Sequence, residues 1–124
     1  MRIITTRTHG IIDYGMGVLL IAAPYLFGFA TGGPKQWIPM MLGVAMIGLA
    51  LMTRFELGAI RVIPMPAHLL VDVASGAVLA ASPWLFEFAN EVYLPHLILG
   101  LLEIGAAAMT QTAPYDHTRF AVNH

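Results

Sequence analysis

The sequence predicts an all-α, polytopic membrane protein with four transmembrane helices, built as a tandem duplication of a two-helix unit. Three observations carry that prediction. The first is composition: of 124 residues, 58% are hydrophobic and 10% charged, with a mean hydropathy of +0.76. An ordinary soluble domain holds about 25% charged residues, and a core of this size in water cannot hide so much apolar side chain. The second is that the apolar residues fall into four separate runs, each a candidate span. The third is a repeat. Residues 9–29 (HGIIDYGMGVLLIAAPYLFGF) and 68–88 (HLLVDVASGAVLAASPWLFEF) align without a gap and share His9/His68, Asp13/Asp72, Gly17/Gly76, Pro24/Pro83, Leu26/Leu85, Phe27/Phe86 and Phe29/Phe88. A helix of about 21 residues is roughly 32 Å long, enough to cross the hydrocarbon core of a bilayer.

Taken in order, residues 1–7 form a short basic lead, and Thr8 is placed to cap the first helix. That helix reaches about Phe29, with Pro24 near its far end, where the missing N–H frees the carbonyl of Leu20. Residues 30–36 (ATGGPKQ) read as a loop. Helix two then runs from about Trp37 to Thr53, closing a first repeat over 8–53. A linker over 54–65 carries Arg54, Glu56 and Arg61, the densest charge in the chain. The second repeat spans 66–110, with helix three from Pro66 to about Phe88 and helix four from about Tyr93 to Thr110. Helix four matches helix two if one residue is inserted after the proline, so the repeat covers both helices. Residues 111–124 read as a polar tail.

With four spans, the lead, the linker and the tail share one side of the membrane and hold Arg2, Arg7, Arg54, Arg61 and Arg119, against Lys35 alone on the other. The positive-inside rule then places both termini in the cytoplasm, with the chain in the cell (inner) membrane. Two spans per copy imply a pseudo-two-fold axis along the membrane normal. The bilayer is the expected partner, and a homo-oligomer or larger membrane complex stays open. A net charge of −1 gives no electrostatic case for nucleic acid, and the lack of cysteine excludes disulfides and thiolate sites.

Ser82-Pro83-Trp84 ends an apolar helix headed by His68 and Asp72. This resembles the SPW repeat family of small bacterial and archaeal membrane proteins, similar in having two spans per repeat and the triplet near the end of the first. The resemblance implies the fold and no defined activity. In the first copy the triplet is Ala23-Pro24-Tyr25, which keeps the proline and an aromatic but loses the hydroxyl and the indole. Physically the triplet needs no activity: Ser82 is able to bond back to a carbonyl freed by Pro83, and Trp84 anchors at the headgroup level.

Ionisable residues inside spans are the candidate site. His9 and Asp13 are four apart, as are His68 and Asp72, so each pair shares a helix face. Acids in a span usually face the bundle interior and mark function; here a structural reading competes, because both aspartates lie within about two turns of a helix N-terminus. Glu103 lies deep in helix four where the first copy has Met46. By rise per residue it sits about 10 Å from the helix end, near the depth of Asp72, so His9, Asp13, His68, Asp72 and Glu103 are expected to form one cluster. His96 is expected at the interface, outside it. The glycines inside the spans read as packing devices.

Three functions fit these residues. One is a non-enzymatic structural or accessory membrane component with no cofactor. Another is a proton- or cation-binding protein using the His/Asp/Glu cluster. The last is a haem or metal redox protein with His9 and His68 as ligands. No phosphate loop, nucleophile elbow or paired-histidine zinc helix is present, which weighs against an enzyme.

Overall fold

The computed structural model describes residues 3–112; Arg2, Arg119 and the tail from 113 onward lie outside them. Among the described residues the chain is all-helical, with α1 (Thr6–Leu26), α2 (Pro34–Leu51), α3 (Met65–Leu85) and α4 (Leu94–Ala108). The first three are long and apolar enough to cross a membrane, whereas α4 has 15 residues and spans only about 22 Å. This is a membrane protein by the apolarity of its helices.

Each helix begins and ends for a local reason. Thr5, not Thr8, caps α1: its backbone is extended and its Oγ1 accepts from the Thr8 N–H at 3.2 Å, so Thr8 lies already in the first turn. Pro34 starts α2 a turn earlier than Trp37, because proline suits a first helical turn and Gly33, at φ 77°, reverses the chain before it. Both long helices of the repeat stop three residues short of their terminal phenylalanines. Gly28 (φ 76°) and Glu87 (φ 59°) turn left-handed at equivalent positions. Phe29 N–H then donates to Pro24 O and Phe88 N–H to Pro83 O, each at 2.8 Å, closing a Schellman motif on the two prolines.

Packing pairs α1 with α2 and α3 with α4. The backbones meet at Gly17 and Gly43 in one pair and at Gly76 and Gly100 in the other. A Cβ on Gly43 would stand 2.6 Å from the Gly17 carbonyl oxygen, and one on Gly100 would stand 2.6 Å from that of Gly76. Among the described residues nothing lies within 4 Å of such a Cβ on Gly15, Gly48 or Gly105, so these three pack against none of them.

The pairs are tied at one end by two matching backbone bridges. Ile4 N–H donates to Met109 O (2.8 Å) and Gln111 N–H to Ile4 O (2.8 Å); Ile63 N–H donates to Met52 O (2.8 Å) and Arg54 N–H to Ile63 O (2.7 Å). The lead, the linker and residue 111 therefore share one end of the bundle. At the opposite end Lys35 Nζ meets Glu91 Oε1 at 2.9 Å. Between them lie two buried apolar layers, Leu20, Met46, Leu79 and Leu99 in the middle and Ala50, Phe55, Met65, Leu69 and Ala107 toward the linker. Ile11, Val18, Val44, Leu70 and Leu101 are exposed outward, as a lipid-facing surface requires.

Candidate functional site

His9 and Asp13 sit in the first two turns of α1, His68 and Asp72 in the first two of α3, and all four are buried. Helical spacing makes His and Asp neighbours on one helix, and the own-helix contacts are 3.1 Å (His9 Nε2 to Asp13 Oδ2) and 3.0 Å (His68 Nε2 to Asp72 Oδ2). The shorter contacts cross between helices: His9 Nε2 to Asp72 Oδ2 at 2.8 Å and His68 Nε2 to Asp13 Oδ2 at 2.6 Å. Two imidazole nitrogens and two carboxylate oxygens thus alternate around a closed ring. The imidazoles meet edge to face, centroids 5.4 Å apart at 79°.

Each imidazole is held from behind by a threonine at a helix end. His68 Nδ1 is 2.7 Å from Thr53 Oγ1, and that hydroxyl donates to Leu49 O at 2.6 Å. His9 Nδ1 is 2.8 Å from Thr110 Oγ1, and that hydroxyl donates to Ala106 O at 2.5 Å. A hydroxyl has one proton. Since each is given to a carbonyl, both threonines accept from the ring, and Nδ1 of both histidines carries hydrogen. Only Nε2 faces the ring of four.

Phe55, from the linker, packs over the His68 ring at 6.3 Å and against Gly10 of α1. Tyr14 Oη donates to Leu57 O at 2.8 Å and Thr6 Oγ1 to Glu56 Oε1 at 2.6 Å. These contacts fasten the linker across the end of the bundle.

Glu103 and His96 have partners of their own. Glu103 is buried on α4, but it takes a hydrogen bond from Ser75 Oγ at 2.5 Å, and its Oε2 has no partner among the described residues. Ser75 Oγ also lies 3.2 Å from Asp72 O, so Glu103 adjoins the ring through Ser75 and makes no hydrogen bond to its four side chains among the described residues. His96 lies at the Lys35 end of the bundle and is buried there within the protein. It sits between Phe29 and Phe88, at 5.0 and 4.9 Å, with Nε2 on the Lys35 carbonyl at 2.8 Å. The two Schellman turns swing those phenylalanines inward, and His96 fills the space beneath them.

Ser82 Oγ donates to Leu79 O at 2.7 Å, the carbonyl that Pro83 leaves without its helical partner, while Trp84 and Tyr25 point outward and Trp84 lies 5.8 Å from Tyr93. Ala23 and Pro24 are buried, and Ala23 has no hydroxyl for the Leu20 carbonyl. Sequence reasoning missed Thr53, Thr110, Ser75 and Phe55. The threonines had a signal: Met52-Thr53 and Met109-Thr110 close the two repeats at matching positions.

Fold and site together define a small helical membrane protein with a buried, two-fold-like histidine and aspartate centre. A family-level comparison matches the SPW repeat domain over residues 7–110, and the chain belongs to that family. Neither the curated proteins nor the solved structures contain a match.

Proposed function

We propose that the chain is a cation-binding membrane protein whose binding centre is His9, Asp13, His68 and Asp72. One observation carries the reading: four acceptor or donor atoms alternate in a ring at 2.6–3.1 Å, out of water. Two buried carboxylates side by side repel strongly in a low dielectric and require two positive charges between them. Two protons on Nε2 supply these, and so does one divalent ion. A haem fits less well, because the imidazoles meet edge to face with both carboxylates between them, leaving no slot for a macrocycle.

The same contacts also tie α1 to α3, which is the structural role of the competing reading. The two part on whether the centre takes up charge from outside. In detergent-purified protein, calorimetric titration with Na⁺, Mg²⁺, Ca²⁺, Mn²⁺ and Zn²⁺, together with acid–base titration, should show uptake that the double variant Asp13→Asn, Asp72→Asn loses. Uptake unchanged in the double variant, or absent in the parent, would leave only the structural role. Glu103→Gln keeps the ring intact, so uptake should persist there with a smaller change than the double variant shows.

The repeated sequence and the paired backbone bridges support an origin by duplication. Arginine distribution supports cytoplasmic termini in the inner membrane of the cell.

A further inference from the structure

We infer that the cation is a divalent first-row transition ion of zinc's size, held four-coordinate by His9 Nε2, Asp13 Oδ2, His68 Nε2 and Asp72 Oδ2. Thr53 and Thr110 serve as the outer partners that fix both imidazoles. The inference rests on the cation-binding reading above and names which cation.

Tautomer comes first. With Nδ1–H of each ring given to a threonine whose own proton goes to Leu49 O or Ala106 O, the atom left facing the ring is Nε2. That is the arrangement of metal-bound histidines, in which the distal N–H is hydrogen-bonded outward and the other nitrogen offers its lone pair. Protons fill the ring less completely. There are four short N···O approaches and only two Nε2 atoms to carry hydrogen, so each proton would be shared between two carboxylate oxygens. One ion at the centre meets all four atoms at once.

Size decides among ions. A four-sided ring with edges of 2.8, 3.1, 2.6 and 3.0 Å has a centre no more than about 2 Å from its corners, and opening the edges to about 3.3 Å gives the tetrahedron in which Zn²⁺ meets nitrogen and oxygen at about 2.0 Å. Calcium needs about 2.3–2.6 Å and six to eight oxygens, and magnesium wants an octahedron of oxygens. Two imidazole nitrogens in four donors point instead to zinc, copper, iron or nickel. Charge agrees: two carboxylates neutralise a divalent ion, and a neutral centre is the form a buried site tolerates.

Four protein ligands close the shell, as in structural zinc sites. The ion would then bind α1 to α3 at the end where the two backbone bridges, the Thr53–His68 and Thr110–His9 hydrogen bonds and the packed linker also join the pairs.

The test uses the full chain in mild detergent, stripped with a chelator and dialysed. Addition of CoCl₂ should give the intense visible bands of four-coordinate cobalt at one ion per chain. ZnCl₂ should abolish the bands and raise the thermal unfolding midpoint, while MgCl₂ and CaCl₂ do neither. Thr53→Val keeps all four ligands and should bind cobalt about 10–100-fold more weakly, with the helical circular dichroism of the parent; His68→Gln should lose the bands. Absence of cobalt bands and of any zinc-induced midpoint shift in the parent overturns the inference. If Na⁺ or protons still bind in the parent and not in the double asparagine variant, the cation-binding reading survives that result. If nothing binds, both fall.

Discussion

Ser82 shows how little a residue needs to do to matter in this protein. Pro83 removes the N–H that would have bonded Leu79 O, and Ser82 Oγ takes that carbonyl at 2.7 Å inside the bundle, where no lipid group can. Ser82→Ala is therefore expected to lower stability by about 1 kcal/mol, in the range of hydrogen bonds measured inside membranes. Denaturant-driven unfolding in detergent measures it, and an unchanged midpoint would show that Leu79 O has another partner. Glu103 carries the opposite lesson: its depth was legible from rise per residue, but which way its carboxyl turned was not. Depth is a property of one helix, while the bond to Ser75 depends on how α4 is rotated against α3.

At the scale of the element, glycines of the same kind in the sequence divide into two groups in space. Gly100 faces the backbone of α3 so closely that a Cβ would lie 2.6 Å from both Gly76 O and Ala80 N, whereas Gly105 faces open space. Backbone cannot yield as a side chain can. Gly100→Ala should destabilise by about 1–3 kcal/mol through forced separation of α3 and α4, and Gly105→Ala should be neutral or stabilising by up to about 1 kcal/mol, the gain in helix propensity. Parallel thermal melts of the two variants check the contrast, and equal losses would contradict the crossing described. The helix ends were less legible than their middles. Periodic apolar runs located all four helices, but Pro34 started α2 early and left-handed Gly28 and Glu87 stopped α1 and α3 early. A positive φ at Glu87 has no sequence signal beyond the alignment with Gly28, because glutamate rarely adopts it.

For the whole molecule, the lead and the linker meet at one end through their bridges to α4 and α2, and Lys35 lies at the other. If that first end is cytoplasmic, as the arginine distribution predicts, reporter fusions after Lys35 and after Arg61 should report opposite sides of the membrane. The same side for both would refute the four-span topology. The short α4, about 22 Å by rise per residue, is the span most in need of its neighbours, since alone it falls short of a hydrocarbon core of about 30 Å.

The sequence by itself determined the solvent, the helical class, the order of the elements and the sharing of one helix face by His9 with Asp13 and by His68 with Asp72. Those follow from composition, from runs of apolar residues and from a spacing of four, which are local and covalent in origin. Only the tertiary structure decided that His9 reaches Asp72 and His68 reaches Asp13 more closely than their own-helix aspartates, that Thr53 and Thr110 stand behind the imidazoles, and that His96 lies beneath two phenylalanines while Glu103 bonds to Ser75. The physical reason is rotation: a helix fixes which side chains share a face, but the direction of that face is set by where neighbouring backbones make contact, here at Gly17 with Gly43 and at Gly76 with Gly100.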